Sequence, residues 1–421
     1  GGGVRFPLIH SLEVSASARY ESYTDFGETT KPKYGVSWRP LPSVLIRASY
    51  NEGFHAPNLA QLFTGTLIRT ATGSTDSYRS AVTGLPTDGP SNRRSIASGN
   101  PNLQPEESRG KSAGIVVDVP RVKGLTLGID YWEIRQENVI ASSGSIADDT
   151  AALQAATQDA LAAGQNIAQI DLGSGTANYQ GDGSVVRLPV TQTDREFFAA
   201  YNATRTPGNQ RAVVGAIDYL RTTYFNRSQQ FVNGFDLDAT YRLPRLQAGN
   251  FTVSTTWTYL NDFHTYAAAG APRTELRWNN SAAVGGATPK WRGNINVTWR
   301  KGAWGAGVSA YYIGNYSDSG ATTTQSIYES LGSPSYIQPL FNNGSYSYRY
   351  IVEDSISYNA NISYRIRSKQ RWLDHTTLRL GVVNLTDKTP PLSSDSRGYD
   401  PSIYNQMARG RSWSLQVTKK F

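Results

Sequence analysis

The chain of 421 residues contains no cysteine and a single methionine, which removes disulfide frameworks and thiolate chemistry from consideration. It has no apolar run approaching the ~18 residues of a membrane helix. Lysine and arginine (41) outnumber aspartate and glutamate (33), for a net charge of +8. The basic residues are nevertheless scattered and build no run, so nucleic acid is not the expected partner. Four histidines, His10, His55, His264 and His375, stand singly without metal-ligand spacing, and each reads as a surface or loop residue. Acid pairs fall at Glu106-Glu107, at the entry to a strand, and at Asp148-Asp149, in the first turn of a predicted helix where the dipole favours acids. Catalysis would need such groups to converge from distant segments, so no enzyme, catalytic residue, metal or cofactor is expected.

What is abundant is glycine (39), tyrosine (25) and tryptophan (9), a composition that suits β-structure. The mean hydropathy of −0.45 looks soluble, but a membrane β-barrel alternates lipid-facing and lumen-facing residues, so its average is unremarkable. Gly1-Gly2-Gly3-Val4 forms no secretory signal; either export is not needed or the true N-terminus lies elsewhere.

A two-residue period dominates. Leu12, Val14, Ala16, Ala18 and Tyr20 alternate with Ser11, Glu13, Ser15, Ser17 and Arg19. Trp291, Ile295, Val297 and Trp299 alternate with Arg292, Asn294, Asn296 and Thr298, and Ile356, Tyr358, Ala360, Ile362 and Tyr364 with polar neighbours. Similar runs lie at 34–38, 44–50, 113–119, 125–131, 231–241, 251–259, 304–312, 378–382 and 413–421. About twelve strands result, most near the ~9–11 residues that cross a bilayer at a tilt. Short connections (40–43, 120–124, 243–250, 301–303, 366–375) take turns with long ones (51–110, 138–229, 261–290, 314–348, 385–410), as in outer-membrane barrels with short periplasmic turns and long outside loops. Trp38, Tyr241, Trp299, Trp304 and Tyr364 fall beside the short turns, where interfacial rings form a girdle. Residues from Ser145, with Asp148 three positions on, to Gly164 predict one capped helix of about five turns inside the longest loop. The fold class is therefore all-β, an antiparallel transmembrane β-barrel with long extracellular loops and one short helix.

Several stretches resemble the barrel of TonB-dependent outer-membrane receptors. Asp25-Phe26-Gly27 with Lys31 to Trp38 is similar to one strand pair of that family. Leu45 to Pro57 carries Gly53, Phe54, Ala56 and Pro57 of a "G-F-R-A-P" motif, with His55 where arginine is usual. Asn100, Pro101, Leu103, Pro105 and Glu106 match "N-P-x-L-x-P-E". Asn233 to Asp236 and Val383 to Lys388 resemble later strands, and Gly410, Trp413, Leu415 and the final Phe421 the C-terminal barrel-assembly signal. The resemblance implies a larger barrel of twenty-two strands enclosing a plug. It makes this chain the C-terminal part, residues 1–421, with plug, TonB-gripped segment and earlier strands outside it and Gly1 to Pro7 as the tail of an earlier strand. Such an open half-sheet should not be stable alone.

The implied function is binding of a scarce nutrient (siderophore, cobalamin, oligosaccharide or peptide) at the outer loops of a Gram-negative outer-membrane receptor. Import would be driven by TonB and its inner-membrane energising proteins, with barrel-assembly machinery and lipopolysaccharide as further partners. Loop residues suited to a ligand are Arg69, Tyr78, Arg93, Arg94, Tyr179, Arg187, Tyr201, Arg205, Tyr316, Tyr328, Tyr336 and Tyr346, since tyrosine and arginine make large amphipathic and bidentate contacts. Two other classes stay open at this point: a passive pore or adhesive barrel without a plug, and a soluble β-rich carbohydrate-binding module.

Overall fold

A computed structural model describes all residues except 1–8, 24–26, 143–145, 227–228, 267–272, 282–285, 343–344, 371–372, 396 and 421. Among the described residues, twelve strands pair antiparallel in chain order: β1 Ser11–Tyr23, β2 Gly27–Leu41, β3 Val44–His55, β4 Glu106–Asp118, β5 Leu125–Glu137, β6 Gln229–Arg242, β7 Asn250–Tyr266, β8 Trp291–Lys301, β9 Trp304–Ile313, β10 Ser355–Arg365, β11 Thr376–Val383 and β12 Ser412–Lys419. The short strand Arg273–Glu275 adds to β7. Asp25, Phe26, Gly1 to Pro7, the cap Ser145 and the terminal Phe421, all singled out above, lie outside the described residues.

Register turns the alternation into two chemically distinct faces. Val297, Val308 and Ala360 share one rung of β8 to β10, while Asn296, Ser309 and Asn359 share the next; successive residues point to opposite sides. The apolar side is uncovered: Val14 and Leu415 are each 72% exposed, and Val297, Val308, Ile362 and Leu380 are exposed with them. Exposing one such side chain to water costs about 1.5–3 kcal/mol relative to burial, so a whole face of them calls for an apolar solvent. A soluble sandwich would cover that face with a second sheet, and the carbohydrate-module alternative falls on this point.

Aromatic rungs bound the apolar face at both ends. Near the short turns Trp304 meets Tyr364 at 4.6 Å between ring centroids, and Trp299 is registered with Phe251. At the other end Tyr259 meets Trp291 at 4.7 Å, Tyr131 meets Phe235 at 5.4 Å, and Tyr34 lies 6.4 Å from Tyr50. Only the first girdle is anticipated from sequence. On β8 the two girdles fall at Trp291 and Trp299, eight positions or ~26 Å along a strand, close to the ~25 Å apolar band of a membrane barrel.

The chain divides into two compact units. One comprises residues 1–54, 107–137 and 228–421, which hold the sheet; the other comprises 55–106 and 138–227. The second unit is thus built from two long connections, β3 to β4 and β5 to β6. The predicted helix spans Ile146–Ala162 and its chain turns at Gly164 with φ +85°. Further helices, α1 Leu59–Phe63, α2 Ser77–Thr83 and α4 Gln192–Asn202, flank it in sequence, so it is α3. Each of those three is started by a capping side chain: Asn58 with Gln61 for α1, Asp76 for α2, Thr191 with Asp194 for α4.

Candidate functional site

The two connections of the second unit are bound together at their roots. The Glu106 carboxylate accepts the Ile140 N–H at 2.6 Å and meets His55 Nδ1 at 2.9 Å. Asn226 Nδ2 donates to the carbonyls of Gln104 and Asn138, both at 2.7 Å, and its Oδ1 accepts from the Gln104 N–H. Asn100 donates to the Tyr224 carbonyl at 2.8 Å, and Leu103 is buried. Before this motif the chain passes so close to α1 that a Cβ on Gly99 would sit 2.6 Å from the Leu62 carbonyl oxygen. Pro57 is buried, Ala56 and Pro105 half-buried and Pro101 exposed. Of the remaining motif residues, Gly53 and Phe54 belong to the sheet unit, where Phe54 packs 5.7 Å from Tyr23. Trp413 and Leu415 lie exposed on the apolar side of β12, after Gly410 at φ +69°.

Above these roots a four-stranded sheet, Leu67–Ser74, Ser91–Ala97, Ile217–Thr222 and Val185–Arg187 in that order, packs with α2 to α4. Tyr78, Leu153, Ile170, Leu172, Phe198, Ala212 and Val214 form a core among the helices and the segments around them, and Val185, Ile217 and Leu220 a second one on the sheet. Two arginines sit inside with their charges paired. Arg187 Nη1 reaches Asp76 at 2.6 Å and its Nη2 reaches Asp149 at 2.8 Å, while Nε donates to the Tyr179 hydroxyl at 2.8 Å. Arg79 reaches Asp194 at 2.8 Å, Asp88 at 3.2 Å and the Val214 carbonyl at 2.6 Å. Carboxylate pairing of this kind is what a buried guanidinium requires.

Burial disfavours the Arg187 cation, but the hydrogen bonds and charge of Asp76, with Tyr179 and Asp149, outweigh it and raise its pKa. Burial pushes the Asp149 carboxyl up against the opposing pull of Arg187 and Tyr179. Burial also pushes Asp194 up, yet the Thr191 amide and the Arg79 guanidinium prevail and hold it below the ordinary carboxylate range. The Tyr78 hydroxyl, desolvated beside Thr157 and the Ala212 carbonyl, is raised to about 12.

The twelve loop residues proposed as ligand contacts therefore separate. Tyr78, Arg93 and Arg187 are buried; Tyr179 is half-buried against Arg187 and Asp149, and Arg93 donates to the Thr87 carbonyl. These four belong to the unit's internal framework. Arg69, Arg94 and Arg205 are exposed and Tyr201 half-exposed. Arg94 lies over Tyr219 at 5.1 Å, and Tyr201 is flanked by Arg205 at 4.8 Å and Arg211 at 5.9 Å. Next to this cluster are a groove of about 470 Å³, walled by Ile167, Phe198, Ala203 and Val213 with Arg195 among its lining, and a hollow of about 340 Å³ lined by Tyr201, Arg211, Gln154 and Asn209. Arg195 reaches its groove from α4 and Arg211 its hollow from the segment after that helix, placements that leave no local trace in the sequence.

The remaining four lie in the 314–354 connection of the sheet unit. Tyr316 is buried and donates to Asp400 at 3.3 Å. Tyr328 and Tyr346 stack around Tyr348 at 5.1 and 6.4 Å, and Tyr336 meets Tyr350 at 5.2 Å. Tyr348 and Tyr350, on the same strand Ser345–Val352 as Tyr346, are not among the sequence candidates. No cluster of three metal-ligating side chains occurs among the described residues.

A family model described as "TonB dependent receptor-like, beta-barrel" matches residues 2–385. Among solved structures, the ferric enterobactin receptor PfeA of Pseudomonas aeruginosa, a mutant in complex with enterobactin, is 14% identical with a TM-score of 0.56, over 98% of this chain and 44% of its own. The siderophore receptor PirA of Acinetobacter baumannii is 15% identical with a TM-score of 0.53, again over 98% and 44%. These likenesses concern the fold, and the chain spans less than half the length of the receptors it matches. No curated protein sequence matches it.

Proposed function

This chain belongs to the TonB-dependent receptor β-barrel family of the Gram-negative outer membrane, and on that premise we propose that it captures a ferric siderophore at its long connections for import energised by TonB. The observation that carries this reading is the groove of about 470 Å³ beside the Tyr201, Arg205 and Arg211 cluster. Its size falls within the ~300–1,000 Å³ of small-molecule sites. Apolar walls with Arg195 in the lining, and Tyr201 and Arg211 in the neighbouring hollow, suit an aromatic, anionic iron chelate better than a neutral sugar. Siderophores are also what PfeA and PirA are named for.

The exposed and half-exposed candidates Arg69, Arg94, Tyr201, Arg205, Tyr328, Tyr336 and Tyr346, with Arg195 and Arg211, are the proposed contacts. The test is surface binding and uptake of radiolabelled ferric enterobactin, cobalamin and maltodextrin by cells bearing the receptor. Binding of the ferric chelate alone, weakened by Tyr201→Ala and Arg195→Ala, supports the proposal; binding of cobalamin or maltodextrin instead overturns it. Uptake, but not binding, should vanish when TonB is deleted.

Reading the chain as the C-terminal part of a longer receptor accounts for the coverage of less than half. An intact mass from native outer membranes roughly twice the 46.1 kDa of these residues supports it. A mass near 46.1 kDa removes the plug and, with it, the TonB step.

A further inference from the structure

On the polar face of the sheet, five strands bring Arg300, Gly305, Ser363, Arg379 and Gln416 onto one rung, each registered with the next. Arg300 and Arg379 are thus three inter-strand steps apart, ~14 Å between backbones. Only a glycine and a serine stand on the rung between them. The Ser363 side chain is drawn down to the Gly305 carbonyl at 3.2 Å, and on the adjoining rung Asn361 leans to the Gly307 carbonyl at 3.4 Å. A Cβ at Gly305 would come within 3.0 Å of Ser363 Oγ and at Gly307 within 3.0 Å of Asn361 Nδ2. The glycines therefore keep open a hollow of about 420 Å³, lined by both arginines together with Asn361, Thr377, Gln416 and Thr418.

The charge pattern of this face is one-sided. From β8 to β12 its residues include Arg292, Arg300, Arg365 and Arg379 and no aspartate or glutamate. Over β4 to β6 the same face carries Asp118, Asp130, Asp236 and Asp238 beside Arg242, and among the described residues only Asp130 of these acids meets an arginine, Arg47 at 2.5 Å. Neither Arg300 nor Arg379 makes a side-chain hydrogen bond or ion pair among the described residues, in contrast to the paired Arg79 and Arg187. Two free guanidinium groups facing each other across a small-residue floor, with amides and hydroxyls at hand, are built for oxyanions.

We propose that this rung is an anion-binding site on the lumenal face at the short-turn end, and that it takes a small molecule carrying two or more carboxylates. The proposal is independent of which cargo the long connections capture. Its length scale is the separation of the two arginines, so a dicarboxylate long enough to touch both should outbind a short one.

The test uses the receptor purified intact from native outer membranes, in detergent micelles at fixed ionic strength. Ligand-observed NMR would follow a dicarboxylate series from malonate to adipate, inorganic phosphate, and neutral glutaramide. Saturable glutarate binding that exceeds malonate and glutaramide, and falls at least about tenfold in Arg300→Gln and in Arg379→Gln, is the expected result. Arg379→Lys should keep part of the affinity, since it holds the charge but loses the fork. Equal binding by the double Gln variant, equal binding of glutaramide, or no saturable glutarate binding by the wild type would each overturn the site. Phosphate binding as tight as glutarate would reduce it to a single-point anion contact and overturn the two-arginine clamp. Circular dichroism of the same samples confirms that the sheet is intact; should Arg300→Gln lose it, Arg300→Lys serves in its place.

Discussion

In the loop unit Leu153 and Phe198 are buried, and Arg187 is buried with them against Asp76 and Asp149. In the sheet Val297 and Leu415 face outward, while Arg300 and Arg379, on the polar side, make no side-chain hydrogen bond or ion pair among the described residues. Each unit answers to its own solvent. The loop unit excludes water in the ordinary way and pairs the enclosed charges of Arg79 and Arg187 with carboxylates. The sheet turns its apolar side to lipid, leaves its polar side wet, and can keep unpaired cations there at little cost.

The comparison breaks most sharply at Arg187. Arg187→Ala leaves Asp76 and Asp149 as uncompensated buried charges, and the loop unit should lose about 3–5 kcal/mol. Hydrogen exchange of α3 amides should accelerate accordingly while β8 to β10 stay protected; equal protection in α3 would show the network to be dispensable. Next in size is Ile295→Arg on the apolar side of β8, expected to cost about 2–4 kcal/mol in folding into lipid vesicles. Asn296→Arg, one residue on and facing the other way, should cost almost nothing, and equal penalties would erase the two-face assignment.

A smaller loss comes from the α4 cap. Thr191→Ala removes the hydroxyl that accepts the Asp194 N–H, for about 1 kcal/mol, read as faster exchange in α4 alone. Asp194 adds a pH dependence. Its folded pKa is depressed, so the stability it supplies is present above its unfolded value and is lost as pH falls through the folded one. Asp149, raised by burial, works in the opposite sense and regains stability on acidification. Exchange in α4 should therefore accelerate below about pH 4, and Asp194→Asn should flatten that response where Asp149→Asn does not.

The sheet was legible because a strand with one lipid face writes its period into every second residue, as at Trp291 to Trp299. Alternating short and long connections, and the motifs at Gly53 and Asn100, pointed to the same fold. The loop unit was opaque for a physical reason. Arg187 finds Asp76 111 positions away, and Tyr78 finds Thr157 79 positions away, separations that leave no local trace. Helices as short as Leu59–Phe63 and Ser77–Thr83 complete too few turns for a 3.6-residue period to emerge. Tyr78 and Arg187 were thus assigned to a surface from residue type alone, whereas the fold uses them as core.

Glu106 and Asn226 each bind chain from both connections of the loop unit, so the four crossings to and from the sheet are fastened to one another. An insertion tied off at its base behaves as a cassette: its interior can be rewritten, or the whole piece exchanged between related genes, without renegotiating the strands that carry it.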